Sequence, residues 1–188
     1  MELLAAIGEE HVHAAWLAAE LDSERFAKDV HAGLEAAGAG ERLVTEPDLA
    51  DPEQNRLRRE ILYAYRGGYV GRSLDGLAWH RAAFGPDEVL SILYIDWDYW
   101  NDVSGGSRLA SDAVPRLRSR GAEPGYATVA ARDAHPPLIA VRAAPGERIV
   151  LVEGHVRLTA YAFFPERIPR PLEVLLGEGE GVRRFGCY

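Results

Sequence analysis

The 188-residue chain contains a single cysteine, Cys187, and a single lysine, Lys28. One cysteine excludes an internal disulfide and any zinc site built on cysteine pairs. One lysine leaves no phosphate-loop or catalytic lysine outside the N-terminal region. Arginine carries nearly all the positive charge and alanine is abundant, which reads as compositional bias. No run of about 18 apolar residues exists, so no membrane-spanning helix is expected. The opening Met1-Glu2-Leu3-Leu4 lacks the basic start of a secretory signal. These absences favour a cytoplasmic protein. Walker A, G-x-G-x-x-G, H-E-x-x-H and nucleophile-elbow motifs are all missing, and there is no internal repeat.

What is present supports a packed core. Hydrophobic residues make up 47% of the chain, enough for one large domain or a domain with an appendage. The net charge is −8. That disfavours a non-specific grip on nucleic acid, which depends on neutralising phosphates. DNA is therefore not an expected partner, although arginines cluster at 56, 58 and 59 and at 116, 118 and 120.

Residues 149–164 read I-V-L-V-E-G-H-V-R-L-T-A-Y-A-F-F. The aliphatic, β-branched start predicts a buried strand. After Glu153-Gly154 the apolar spacing becomes helical, with Val156, Ala160 and Phe163 about one turn apart. The strand thus feeds through one glycine into a helix start, where unbonded N–H groups and the positive end of the macrodipole suit an anion. Gly154 permits close backbone approach, and Arg157 offers a planar two-pronged donor. A structural turn with a surface arginine gives the same pattern.

Along the chain, residues 2–37 have helical spacing, with a break at Asp22-Ser23 where Ser23 is placed to cap a second helix. A helix is expected over residues 53–66, stopped by Gly67-Gly68. Residues 69–75 read as a surface loop; Arg66-Gly67-Gly68-Tyr69 and Gly71-Arg72 are minor anion candidates, although a helix stop followed by a loop needs no ligand. Strands are expected at 77–84 and 90–95, with a capped turn at Gly85-Pro86-Asp87-Glu88 between them. Trp97 and Trp100, three apart on a helical turn, are both expected in the core. Ser104-Gly105-Gly106-Ser107-Arg108 precedes a helix, with Ser107 as its N-cap, and forms a second candidate anion site. Residues 126–131 read as a short strand or loop, 177–181 as a flexible acidic tail and 182–188 as a last strand.

The order strand, turn, strand, G-x-x-R-x-x-A helix, Pro-containing loop and strand over residues 136–176 resembles the core of the ParB/sulfiredoxin-like superfamily. The resemblance spans about residues 90–177. Sulfiredoxins carry G-C-H-R where this chain has Gly154-His155-Val156-Arg157, so His155 stands in the place of the cysteine. ParB proteins carry G-E-R-R-x-R-A, of which Gly154, Arg157 and Ala160 match and Thr159 departs. The D-G-H-x-R of the free serine kinases matches Glu153-Gly154-His155-Val156-Arg157 with Glu for Asp. The switch from helical spacing to short aliphatic runs near Leu77 predicts an α+β protein, with a helical N-terminal region, residues 1–76, packed on a mixed α/β domain, residues 77–188, and the resemblance implies a ParB/sulfiredoxin-like fold for that domain. It also implies a nucleoside triphosphate such as ATP or CTP, with phosphates at this helix start.

Phosphoryl transfer needs phosphate donors, Mg²⁺ and a group that orients or deprotonates the acceptor. Gly154, His155, Arg157, Thr159, Ser104, Ser107 and Arg108 are candidates for holding the nucleotide. Glu153 and Asp98 are candidates for base or Mg²⁺ ligand, and His155 for a proton shuttle. Three readings stay open: a nucleotide-dependent phosphotransferase or hydrolase acting on a small molecule, a non-catalytic nucleotide- or DNA-responsive module, and an interaction protein of antitoxin or phage-defence type. A homodimer stays open too.

Overall fold

Five short runs of aliphatic and aromatic residues pair into one sheet. In the computed structural model, which describes residues 1–70 and 75–188, they are β1 (Glu2–Ile7), β2 (Ala78–Phe84), β3 (Leu138–Arg142), β4 (Val150–Glu153) and β5 (Leu172–Glu178). Their order is β1-β2-β5-β3-β4. The β3/β5 pair is parallel, and β1/β2, β2/β5 and β3/β4 are antiparallel. The chain is thus a mixed α and β protein.

Helices cover both faces. On one lie α1 (Glu9–Glu20), α2 (Ala27–Ala36), the short α3 (Arg42–Thr45) and α4 (Pro52–Val70). On the other lie α5 (Pro86–Leu90), α6 (Asp98–Ser104), α7 (Ala110–Ser119), α8 (Glu123–Ala130) and α9 (His155–Phe163). Strand alternation sorts the core accordingly. Ile139 and Val141 of β3 join Trp16, Val30 and Leu62 in the first layer, while Leu138 and Ala140 join Leu117, Leu158 and Tyr161 in the second. A strand covered on both faces reads as an unbroken aliphatic run, which is why β3 and β4 stand out in the sequence.

Several expectations need correction. Residues 2–7 are a strand, not the start of a helix: they pair with β2 from Glu2↔Ala83 to Ile7↔Trp79, and Gly8 caps α1. The helical layer is therefore inserted between two paired strands. Ser23 does not cap α2, whose N-cap is Phe26; its hydroxyl takes the Arg25 N–H at 3.3 Å. Helix α4 runs through Gly67-Gly68 to Val70. Each glycine costs about 1 kcal/mol in a helix, and the packing of α4 on α1 and α2 offsets that. The Gly71-Arg72 candidate lies outside the described residues.

Residues 90–95 do not form a strand. Leu93 alone bridges Leu109 and Val150. Trp97 caps α6 and is 44% exposed, so only Trp100 is packed inward, stacked on Tyr94 at 4.4 Å. Residues 126–131 are mostly helical, because Pro124 opens α8. The acidic tail is ordered: Gly177 and Glu178 complete β5, Glu180–Arg184 forms a 3₁₀ turn, and Val182, Phe185 and Tyr188 are buried.

Candidate functional site

Helix α9 begins where β4 ends. Gly154 is its N-cap with φ +106°, a region closed to side-chain-bearing residues. A Cβ there would overlap Leu138 Cδ2 and approach Arg157 Nη2 to 3.1 Å. The glycine is thus required by the turn and by its packing, not by a ligand's approach. Beyond it, the N–H groups of His155, Val156 and Arg157 have no carbonyl within the helix to bond.

This helix start lies in the floor of a cleft of about 840 Å³, a size typical of small-ligand sites. The walls come from the end of α1 and the turn after it, from Arg66 of α4, from Trp97 and Trp100, and from α8 with the loop that follows. Glu153 sits between two guanidinium groups: Arg157 Nη2 at 3.5 Å from Oε1 and Arg66 Nη2 at 3.8 Å from Oε2. Burial pushes its carboxyl above the usual range, against the pull of both arginines and the Gly154 N–H.

His155 stacks on Trp100 at 5.1 Å with an interplanar angle of 18°. Its Nε2 is buried without a hydrogen-bond partner. Desolvation, with Arg66 and Arg157 nearby, pushes its pKa down to about 3. The ring is therefore neutral at physiological pH. It can exchange a hydrogen bond with a ligand but is too weak a base to shuttle protons near neutrality.

Arg157 does not fold over the helix start. Its Nη1 donates to the carbonyls of Pro136 and of Pro137, the latter at 3.1 Å, and the residue is 8% exposed. It ties α9 to the loop entering β3. Thr159 is fully buried, with its hydroxyl 2.6 Å from the Tyr94 hydroxyl and 2.7 Å from the His155 carbonyl.

The second candidate, residues 104–108, is consumed by the fold. Helix α7 is capped by Leu109, not Ser107. The Ser107 hydroxyl donates to the Ser104 carbonyl at 3.1 Å, and the Ser104 hydroxyl donates to the Trp100 carbonyl at 2.6 Å. Arg108 has φ +64° and donates to the carbonyls of Tyr94 at 2.7 Å and Cys187 at 3.3 Å. None of Ser104, Ser107, Arg108 and Thr159 lines the cleft.

Asp98 is exposed on the first turn of α6 and does not line the cleft either. Among the described residues no group of three or more His, Cys, Asp or Glu is placed to hold a metal. Two arginines flank Glu153 and Asp98 lies outside the cleft, so the structure does not bring these two candidate metal ligands together in it.

Glu20 is not singled out by the sequence reading, and Arg66, read there as part of a minor anion candidate, is instead the partner of a buried carboxylate. Glu20 of α1 is 2% exposed and accepts hydrogen bonds from Trp16 Nε1 at 3.0 Å, the Tyr65 hydroxyl and Arg66 Nε at 2.9 Å. Arg66 also lies over the Phe26 ring, 3.6 Å from its centroid. A signal was available: Val12, Trp16 and Glu20 recur every four residues, which places a carboxylate on the apolar stripe of α1.

The arrangement defines a mixed α/β protein with an open, aromatic-walled cleft at a strand-to-helix turn and an arginine-flanked glutamate in its floor. No family model, no curated protein and no solved structure matches the chain.

Proposed function

We propose that the cleft binds a nucleoside triphosphate with a phosphate at the first turn of α9, and that Glu153 is the acid–base group for phosphoryl transfer to a small acceptor or for hydrolysis. One observation carries this reading. The unbonded N–H groups of a helix start, a glutamate whose carboxyl burial has raised, and the aromatic surfaces of Trp97 and Trp100 all meet in one cleft of nucleotide size. The succession β3, β4, α9, β5 with Glu153-Gly154-His155-Val156-Arg157 at its turn supports a ParB/sulfiredoxin-like reading of the same region.

Charge refines the ligand. Arg25, Arg66, Arg132 and Arg157 line the cleft against Glu20, Asp22, Glu24 and Glu153, so its walls are balanced. A bare triphosphate would meet as much repulsion as attraction. We expect the nucleotide to enter as its Mg²⁺ complex, with the ion carried on the phosphates. A second reading, binding without turnover, is favoured by Arg157. Its guanidinium is committed to Pro136, Pro137 and Glu153, which leaves it no room to follow a transferring phosphoryl group.

Calorimetric titration with ATP, CTP and GTP, with and without Mg²⁺, tests the binding. Micromolar affinity that needs Mg²⁺ is expected, and no heat from any triphosphate would refute the site. Glu153→Gln separates the two readings: for an enzyme it keeps binding and abolishes turnover, whereas a binding module shows no turnover in the wild type either.

A further inference from the structure

The helical layer inserted between β1 and β2 does more than cover a sheet face. It brings a carboxylate from α1 and a guanidinium from α4 to the glutamate at the end of β4. Glu20 and Arg66 are 46 residues apart, yet Arg66 Nε donates to Glu20 Oε1 at 2.9 Å and its Nη2 bonds the same oxygen. Two further donors, Trp16 Nε1 and the Tyr65 hydroxyl, occupy the Glu20 carboxylate. Phe26 stacks against the guanidinium plane. Arg66 thus bonds Glu20 through Nε and Nη2 and has an aromatic ring on its face, and the same Nη2 lies 3.8 Å from Glu153 Oε2.

We propose that Glu20 and Arg66 are positioning residues for Glu153: Glu20 fixes the guanidinium, and Arg66 with Arg157 holds the Glu153 carboxyl from either side. This gives the inserted layer a part in the site and makes the cleft depend on packing between α1 and α4. It rests on Glu153 as the acid–base group, but not on which ligand enters. The charged groups that face Glu153 are Glu20 from α1, Arg66 from α4 and Arg157 from its own helix, joined by the Gly154 N–H.

The geometry makes an unusual prediction of sign. Glu20 competes with Glu153 for Arg66. Neutralising it in Glu20→Gln removes that negative neighbour and leaves more of the Arg66 charge to Glu153. The Glu153 carboxyl should then titrate lower. Adding Arg66→Met to that variant removes the cation and should raise the midpoint by at least as much. The double variant replaces both members of a buried pair and leaves no unpaired charge, so it should fold better than Arg66→Met alone.

The readout is the side-chain carboxyl resonance of Glu153 in ¹³C-glutamate-labelled protein, assigned by its loss in Glu153→Gln and followed from pH 3 to pH 9 without nucleotide. A fall with Glu20→Gln and a reversal with the double variant support the proposal. An unchanged midpoint, or a rise with Glu20→Gln, overturns it, since a purely structural contact moves no titration in alternating directions. Should Glu20→Gln fail to fold, Arg66→Lys replaces it. That change keeps the charge but loses the fork, so the midpoint should rise, and an unmoved midpoint again overturns the proposal. No ligand is used, so a protein that binds no triphosphate can still pass this test, and one that binds it can fail.

Discussion

The starts of α9 and α7 look alike in sequence: glycine, a polar residue and an arginine within five positions. In three dimensions they part. At α7 Ser104 and Arg108 turn inward, and Arg108 clasps the carbonyls of Tyr94 and Cys187. At α9 the arginine also turns inward, toward Pro136 and Pro137. What separates the two is not the arginine but the space above the helix: the first turn of α9 opens on a cleft and that of α7 does not. Buried arginines at helix starts serve chain crossings here, and a candidate ligand site is marked by unbonded N–H groups that face a void.

The largest test of this contrast concerns the glycines. Gly154→Ala should cost about 3–5 kcal/mol, combining left-handed strain with overlap against Leu138. Gly106→Ala, at φ +88° with nothing within 4 Å, should cost only about 1–2 kcal/mol of strain. Equal losses in urea denaturation would erase the distinction. Next, Arg108→Ala should cost about 2–3 kcal/mol, as two carbonyls lose a charged donor. Its triphosphate affinity should equal that of the wild type, and a weakened affinity would return residues 104–108 to the site.

A pH test follows. The pKa of His155 is about 3 when folded, below its usual value near 6.5. Between these values the unfolded chain binds a proton that the folded chain does not. Stability is therefore lost as pH falls from about 6.5, with a slope approaching 1.4 kcal/mol per pH unit for one proton. His155→Gln should flatten the urea-derived stability between pH 5 and 6.5, and an undiminished slope would show that the ring is not desolvated. The smallest effect belongs to Asp98→Ala. It should cost about 0.3–1 kcal/mol through the α6 dipole and leave ligand binding untouched, and altered binding would bring Asp98 back to the cleft.

The sequence was most legible where local chemistry and tertiary structure agree. β3, β4, α9 and β5 announce themselves by aliphatic runs, one glycine and the prolines after α9. β1 was misread because Glu2-Leu3-Leu4-Ala5-Ala6-Ile7 holds little that excludes a helix; its partner β2, some seventy residues on, makes it a strand. The run 90–95 has strand composition but lies where only Leu93 can bridge. In the site, Glu153, Gly154 and His155 were legible because they are consecutive. The pairing of Glu20 with Arg66 was not, because their meeting depends on how α1 packs on α4. Arg108 reads as an anion donor because its actual partners, the carbonyls of Tyr94 and Cys187, are brought to it by the path of the chain, while the serine hydroxyls bond the nearby carbonyls of Trp100 and Ser104.

The position of β1 has a consequence for the order of assembly. β3 and β4 are joined by a short turn, so they can pair early at small loop-closure cost. β5 joins them only after α9 has formed, and β2 only after half the chain is in place. β1 has a single neighbour, β2, and its other edge faces outward. Its pairing closes a loop that contains the whole first helical layer, and with a strand partner on one edge alone it is the first strand to open. Amide hydrogens of β1 should exchange first among the strands, while those of β3 persist until the whole molecule unfolds.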